Sequence, residues 1–248
     1  MTHKPPSKQP ERSNKQDIQA FLSQVNKTPA RKTPGTPGRL LFAIDATASR
    51  QPTWDQACHL QAEMFKATES IGGLKAQLCY YRGFSDFYVG QWHANTTALL
   101  REMTAVQCLG GHTQIARVLE HAIKETRRQR INAVVFIGDA LEESADDLCQ
   151  LAGKLGLLGV PLFLFHEGYD PKVKNIFQQM SQLSGGAYCP FNEQSAGLLA
   201  ELLGAVAVFA SGGRQALQDY SAQKSPELKA LVHQVQADYR SGKGASSK

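Results

Sequence analysis

The sequence predicts an α/β fold of the Rossmann-like, doubly wound kind: a three-layer sandwich around a six-stranded, mostly parallel sheet with one antiparallel edge strand. Three observations lead there. Short apolar runs recur along the chain (LLFAID at 40–45, AVVFIG at 133–138, PLFLF at 161–165). They are continuous rather than alternating, as strands covered on both faces are. Between them lie longer stretches whose apolar residues repeat with helical spacing. One link, Gly83-Phe84-Ser85-Asp86, is too short for a crossover helix, so the strands it joins must pair antiparallel.

Taken in order, Leu40–Asp45 opens the sheet and Thr53–Ser70 has helical spacing. Ala76–Arg82 (AQLCYYR) and Phe87–His93 (FYVGQWH) are the second and third strands. Thr96–Val106 is a short helix, and Gln114–Arg130 a longer one whose Arg127, Arg128 and Arg130 suit the negative end of a helix dipole. Ala133–Gly138 is the fourth strand. Ser144–Leu157 is a helix with Ser144 as N-cap and Asp146 and Asp147 in its first turn. Pro161–Phe165 is the fifth strand, and Pro171–Leu183 a helix with Pro171 in its first turn and Gly185 near its end. Gly186–Pro190 is the last strand and Ser195–Ala210 the closing helix.

Residues 39–213 then form the domain. Residues 1–38 form a tail that holds six of the 11 prolines, a composition that cannot bury enough surface to offset ordering entropy. Its exception is 17–25, where Ile18, Phe21, Leu22 and Val25 share one helical face. Such a short helix docks onto a partner, docks onto its own domain, or forms only transiently. Residues 214–248 are a polar extension with one further amphipathic helix over Pro226–Tyr239 and a disordered end, Ser241–Lys248.

The net charge is +5, and the tail carries all of it: residues 1–38 hold seven of the 27 Lys and Arg and two of the 22 acids. The remaining chain, residues 39–248, holds 20 basic and 20 acidic residues and is neutral, so charge gives the folded part no reason to bind nucleic acid. The five cysteines (Cys58, Cys79, Cys108, Cys149, Cys189) have no zinc-like spacing and read as reduced thiols of a cytoplasmic protein. The N-terminus lacks the apolar core of a secretory signal. The most apolar run, Ala196–Ala210, spans about 15 residues against the ~20 a membrane helix needs, and contains Glu201.

In doubly wound sheets, ligands bind beyond the carboxyl ends of the strands. There the first strand ends in Asp45-Ala46-Thr47-Ala48-Ser49, a carboxylate and two hydroxyls at alternating positions. Gly110-Gly111-His112-Thr113 offers another hydroxyl at the same edge, and Gly138-Asp139-Ala140 a second carboxylate. This is a hard-oxygen set, suited to Mg2+, Mn2+ or Ca2+ rather than zinc. Each piece also has a plain explanation: Asp45 and Asp139 as loop caps, Thr47 and Ser49 as N-caps of the helix near Pro52, Glu142 and Glu143 as a solvated helix start.

At these residues the chain resembles the von Willebrand factor A (VWA) family, in its bacterial intracellular form. That family carries a metal-ion-dependent adhesion site with Asp-x-Ser-x-Ser after strand one, a Thr in a later loop and an Asp at the end of strand four. Asp45, Thr47, Ser49, Thr113 and Asp139 match in order, with Thr47 in place of the usual Ser, and the resemblance covers Arg39–Gly213. It implies that Thr47 and Ser49 ligate the metal directly, that Thr113 joins when a partner engages, and that Asp45 and Asp139 act through metal-bound waters. It further implies an open coordination position for an Asp or Glu of a partner protein, as in an adaptor for an ATPase or other assembly. His112, Glu142, Glu143, His166 and Glu167 lie on loops at that edge and are the candidate rim.

Two other functions remain on the sequence. A magnesium-dependent phosphoester hydrolase would use Asp-rich strand ends, but there is no second Asp two residues after Asp45 and no Walker loop. A nucleic-acid binder would use the basic tail, where Phe21 is the only aromatic residue before Phe42. No nucleophile stands beside His166 and Glu167, so catalysis is not expected.

Overall fold

The continuous apolar runs become strands that meet water on neither face. In the computed structural model, which describes residues 15–28, 36–68, 73–191 and 196–223, β1 (Gly38–Asp45) and β4 (Ala133–Gly138) are buried at every position. β2 (Leu74–Arg82), β5 (Leu162–Glu167) and β6 (Ala187–Phe191) pair parallel with their neighbours, and β3 (Asp86–His93) pairs antiparallel with β2. The sheet order is β3-β2-β1-β4-β5-β6. From β1 the chain goes first to β2 on one side, then to β4 on the other. The crevice beyond the carboxyl ends of β1 and β4 is therefore the topological switch point.

The helices are α1 (Lys15–Lys27), α2 (Gln51–Lys66), α3 (Thr96–Thr104), α4 (Ile115–Arg128), α5 (Ala145–Leu157), α6 (Pro171–Ser184) and α7 (Ala196–Gln223). Strand alternation divides the core in two. Leu40, Phe42 and Ile44 face one layer with residues of α1, α2, α3 and α7. Leu41 and Ala43 face the other, with residues of α4, α5 and α6. Caps fall where local chemistry puts them: Ser144 accepts the Asp147 amide at α5, Asp170 accepts those of Lys172 and Val173 at α6, and Gly185 ends α6 in the left-handed region at φ 72°.

The sequence boundaries move at both ends of the domain. The tail segment read as 17–25 is the helix α1, and Phe21, Leu22 and Val25 are at most 1% exposed. The Phe21 ring lies 6.0 Å from that of Phe163 and 5.2 Å from that of Phe165, so α1 covers β5 and β6 on its own domain. Thr28 then donates its hydroxyl to the Gly185 carbonyl at 2.6 Å, and Arg214 donates to the carbonyls of Lys27 and Thr28 at 3.0 Å each. The closing helix also continues past 210. It breaks at Gly213 (φ 72°, ψ −161°), then resumes and buries Leu217 completely. The rest of the tail and the expected helix at Pro226–Tyr239 lie outside the described residues. Among the described residues, no helix is long and apolar enough to cross a membrane.

Candidate metal centre

Asp45 closes β1 on the α4–α6 side of the sheet and is fully buried. Its Oδ1 accepts the Thr47 amide at 2.7 Å, and its Oδ2 accepts the hydroxyl of Tyr81, its register partner on β2, at 3.1 Å. Burial pushes the Asp45 carboxyl above its usual range; the Thr47 hydrogen bonds pull it down, and neighbouring Asp139 raises it further. The field of Arg50 offsets part of that rise.

The chain leaves β1 through a single 3-10 turn, Ala48–Arg50, with Thr47 at its N-cap position. The Thr47 side chain makes no capping hydrogen bond, so its hydroxyl is not consumed in starting the helix. The Thr47 and Ser49 hydroxyls are 3.4 Å apart, and Ser49 donates to Asp139 Oδ2 at 2.9 Å. Asp139, at the end of β4, keeps its Oδ1 buried with no hydrogen-bond partner among the described residues. Such an atom calls for a further partner.

Arg50 ends the same turn at 1% exposure. Its Nη1 is ion-paired with Glu167 at the end of β5, while Nε and Nη2 have no hydrogen-bond partner among the described residues. Burial pulls its pKa below the usual range against the opposing fields of Asp139 and Asp45.

The third loop is pinned to the same edge. Leu109 donates its amide to the Ala46 carbonyl at 3.1 Å, and Gly83 and His112 donate theirs to Leu109 and Gly83 at 3.2 Å each. A Cβ on Gly111 would collide with the Gly83 carbonyl, so only glycine permits this approach. Thr113 thus lies at the same end of the sheet as Asp45. Its hydroxyl accepts the Glu142 amide at 3.0 Å, and its amide donates to Glu142 Oε2 at 3.0 Å. The structure thus links Asp45, Thr47, Ser49 and Asp139 in one network and holds Thr113 on the adjoining loop, engaged with Glu142.

The donor set suits a hard cation, because its oxygens come from carboxylates and hydroxyls with no thiolate or imidazole. Among the described residues no group of three or more His, Cys, Asp or Glu side chains comes together as a metal cluster. An ion held here would depend on the hydroxyls as much as on the carboxylates.

Solved structures share this architecture. A von Willebrand factor type A protein from Catenulispora acidiphila superposes with a TM-score of 0.54 at 14% identity over 71% of this chain, which spans 43% of that protein's length. The SpRpn10 VWA domain gives 0.51 at 13% identity, covering 78% of this chain and 98% of that one. An aerotolerance-related membrane protein from Bacteroides fragilis gives 0.51 at 13% identity, covering 73% and 99%. The chain folds as a von Willebrand factor A-like domain. No protein-family profile and no curated protein matches it.

The rim of this VWA-like domain is narrower than the sequence suggests. His112 and Glu142 are on the surface, 65% and 50% exposed, and paired at 3.0 Å. Glu143 turns inward instead: its carboxylate accepts the Ile115 and Ala116 amides at 2.6 and 2.8 Å and caps α4. His166 is corrected outright. It is 1% exposed, within 3.0 Å of the Tyr188 hydroxyl and edge-on to Phe177, because β5 runs on to Glu167 and His166 still lies in the sheet. Glu167 is occupied by Arg50. Sequence reasoning missed Tyr81 and Arg50 as neighbours of Asp45. It also missed the exposed Phe84 and Leu109 beside the site. Phe84 is 76% exposed with its ring 5.2 Å from that of His112, and Leu109 is 44% exposed. Register could have found Tyr81, since it stands on β2 directly opposite Asp45.

Proposed function

We propose that this VWA-like domain is a protein-binding module that holds one divalent cation, Mg2+ in the first instance, and uses it to grip an acidic side chain of a partner protein. The observation that carries this reading is the hydrogen-bonded network of Asp45, Thr47, Ser49 and Asp139, with Asp139 Oδ1 buried and without a hydrogen-bond partner among the described residues. Thr47 and Ser49 would hold the ion directly, Asp45 and Asp139 through ordered water. Thr113 would join by giving up its bond to the Glu142 amide. The ion would supply the positive charge that a carboxylate from outside could meet. Attraction between such charges is several-fold stronger in a partly desolvated crevice than in water. Arg50, at 1% exposure, cannot meet a visiting carboxylate.

The rim of such an interface would be His112 and Glu142 with the exposed Phe84 and Leu109, and the role that of a cytoplasmic adaptor rather than an enzyme. Support for binding over turnover comes from His166, whose burial beside Phe177 and Tyr188 gives it no access to a substrate. The test is affinity capture on the immobilised full chain in Mg2+, in EDTA, and with Asp45→Ala. Capture that EDTA reverses and Asp45→Ala abolishes is expected; capture indifferent to both overturns the reading.

A further inference from the structure

Arg50 is a full positive charge buried within the crevice where a divalent cation is proposed to sit. It follows directly on Ser49, and its amide donates to the Thr47 carbonyl at 2.9 Å, so the turn that aims the hydroxyls also fixes the arginine. The side chain is 1% exposed and two of its nitrogens have no hydrogen-bond partner among the described residues. Buried guanidinium groups ordinarily sit in a full set of acceptors. Here the carboxylates whose fields reach Arg50 are those of Asp139 and Asp45, while its ion-pair partner is Glu167, from the other side of the switch point. The arginine lies between two demands.

Resting on the metal reading above, we propose that Arg50 and Glu167 set the affinity of the site for its cation: the guanidinium competes with the divalent ion for the field of Asp45 and Asp139, and Glu167 holds it off. In the absence of the ion, Arg50 is the positive charge available to the two aspartates. When the ion enters, two cations share a poorly screened pocket, and the repulsion between them weakens binding. The Glu167 carboxylate compensates the guanidinium and so reduces that cost. Since Glu167 is the last residue of β5, on the side of Phe163 and Phe165, its position is tied to the layer that α1 covers. A purely structural ion pair would stabilise the fold and leave cation affinity alone.

The experiment measures Mn2+ binding to the full chain by electron paramagnetic resonance and calorimetry, with circular dichroism to verify folding. Arg50→Met keeps the bulk and removes the charge, and should tighten Mn2+ binding about tenfold or more, the usual effect of one nearby like charge. Glu167→Gln frees the guanidinium toward the aspartates and should weaken it. The double variant should bind as tightly as Arg50→Met. A folded Arg50→Met that binds Mn2+ no better than the wild type overturns the proposal, as does a Glu167→Gln that binds it no worse. If Arg50→Met does not fold, Glu167→Gln decides. If neither the wild type nor Arg50→Met binds Mn2+, the metal reading falls and this inference with it; if the wild type binds and the variants match it, only the inference falls.

Discussion

Phe21→Ala tests whether the N-terminal helix is part of the domain. Phe21 is 1% exposed, with its ring 6.0 and 5.2 Å from those of Phe163 and Phe165, and Leu22 and Val25 are buried beside it. Truncating a fully buried Phe costs about 3–5 kcal/mol, the lost transfer energy plus the cavity left behind. A ceiling applies if α1 undocks rather than leaving a cavity. Burial of Phe21, Leu22 and Val25 contributes roughly 4.5–9 kcal/mol at ~1.5–3 each, less the entropy of ordering the helix. A loss of at least ~2 kcal/mol is therefore expected on either route. Urea unfolding followed by the fluorescence of Trp54 and Trp92, and in parallel by circular dichroism, measures it. A loss below about 1 kcal/mol, the size of an ordinary surface change, would refute the packing of α1 against β5.

Asp45→Asn should raise the melting temperature in EDTA, because it removes a buried charge whose pKa burial already raises; a gain of about 1 kcal/mol corresponds to ~2–4 °C at this size. The same variant should lose cation binding, so a melting temperature in EDTA that falls instead would contradict the electrostatic argument. Burial lowers the pKa of His166, so its neutral form is favoured in the fold. Stability should then fall as pH drops below ~6.5, where the unfolded chain takes up the proton first, and His166→Gln should flatten that slope in thermal melts across pH 5–7. Glu143→Ala should cost about 1–2 kcal/mol in chemical unfolding through the lost cap on α4, while leaving Mn2+ affinity as it was.

The sheet was legible because burial on both faces writes continuous apolar runs, and β1, β4 and β5 stand where LLFAID, AVVFIG and PLFLF do. The short Gly83–Asp86 link likewise gave away the antiparallel edge. What the residues did not tell is how polar neighbours are shared out. His166 follows an apolar run and reads as a loop residue, yet β5 extends two residues further and carries it inside. Glu143 reads as solvated because a cap on a different helix, α4, leaves no trace in local spacing. Ser211, Gly212 and Gly213 look like a helix end, but the burial of Leu217 draws α7 past the break at Gly213. In the tail, the helical face over 17–25 was legible, but where it docks was not, because that depends on Phe163 and Phe165, far along the chain. Of the candidate ligands, Asp45, Thr47 and Ser49 were readable because one turn holds them all. The engagement of Thr113 with Glu142 was not, since two loops decide it.

Asp45, Thr47, Ser49 and Asp139 are proposed to hold one divalent cation together. Calorimetric titration of the full chain with Mn2+, wild type against Ser49→Ala and Asp139→Ala, addresses it most directly. One saturable site is expected in the wild type, weakened by about tenfold or more in each variant while the fold is retained. A wild type that shows no saturable binding, or variants that bind as well as it does, would contradict it.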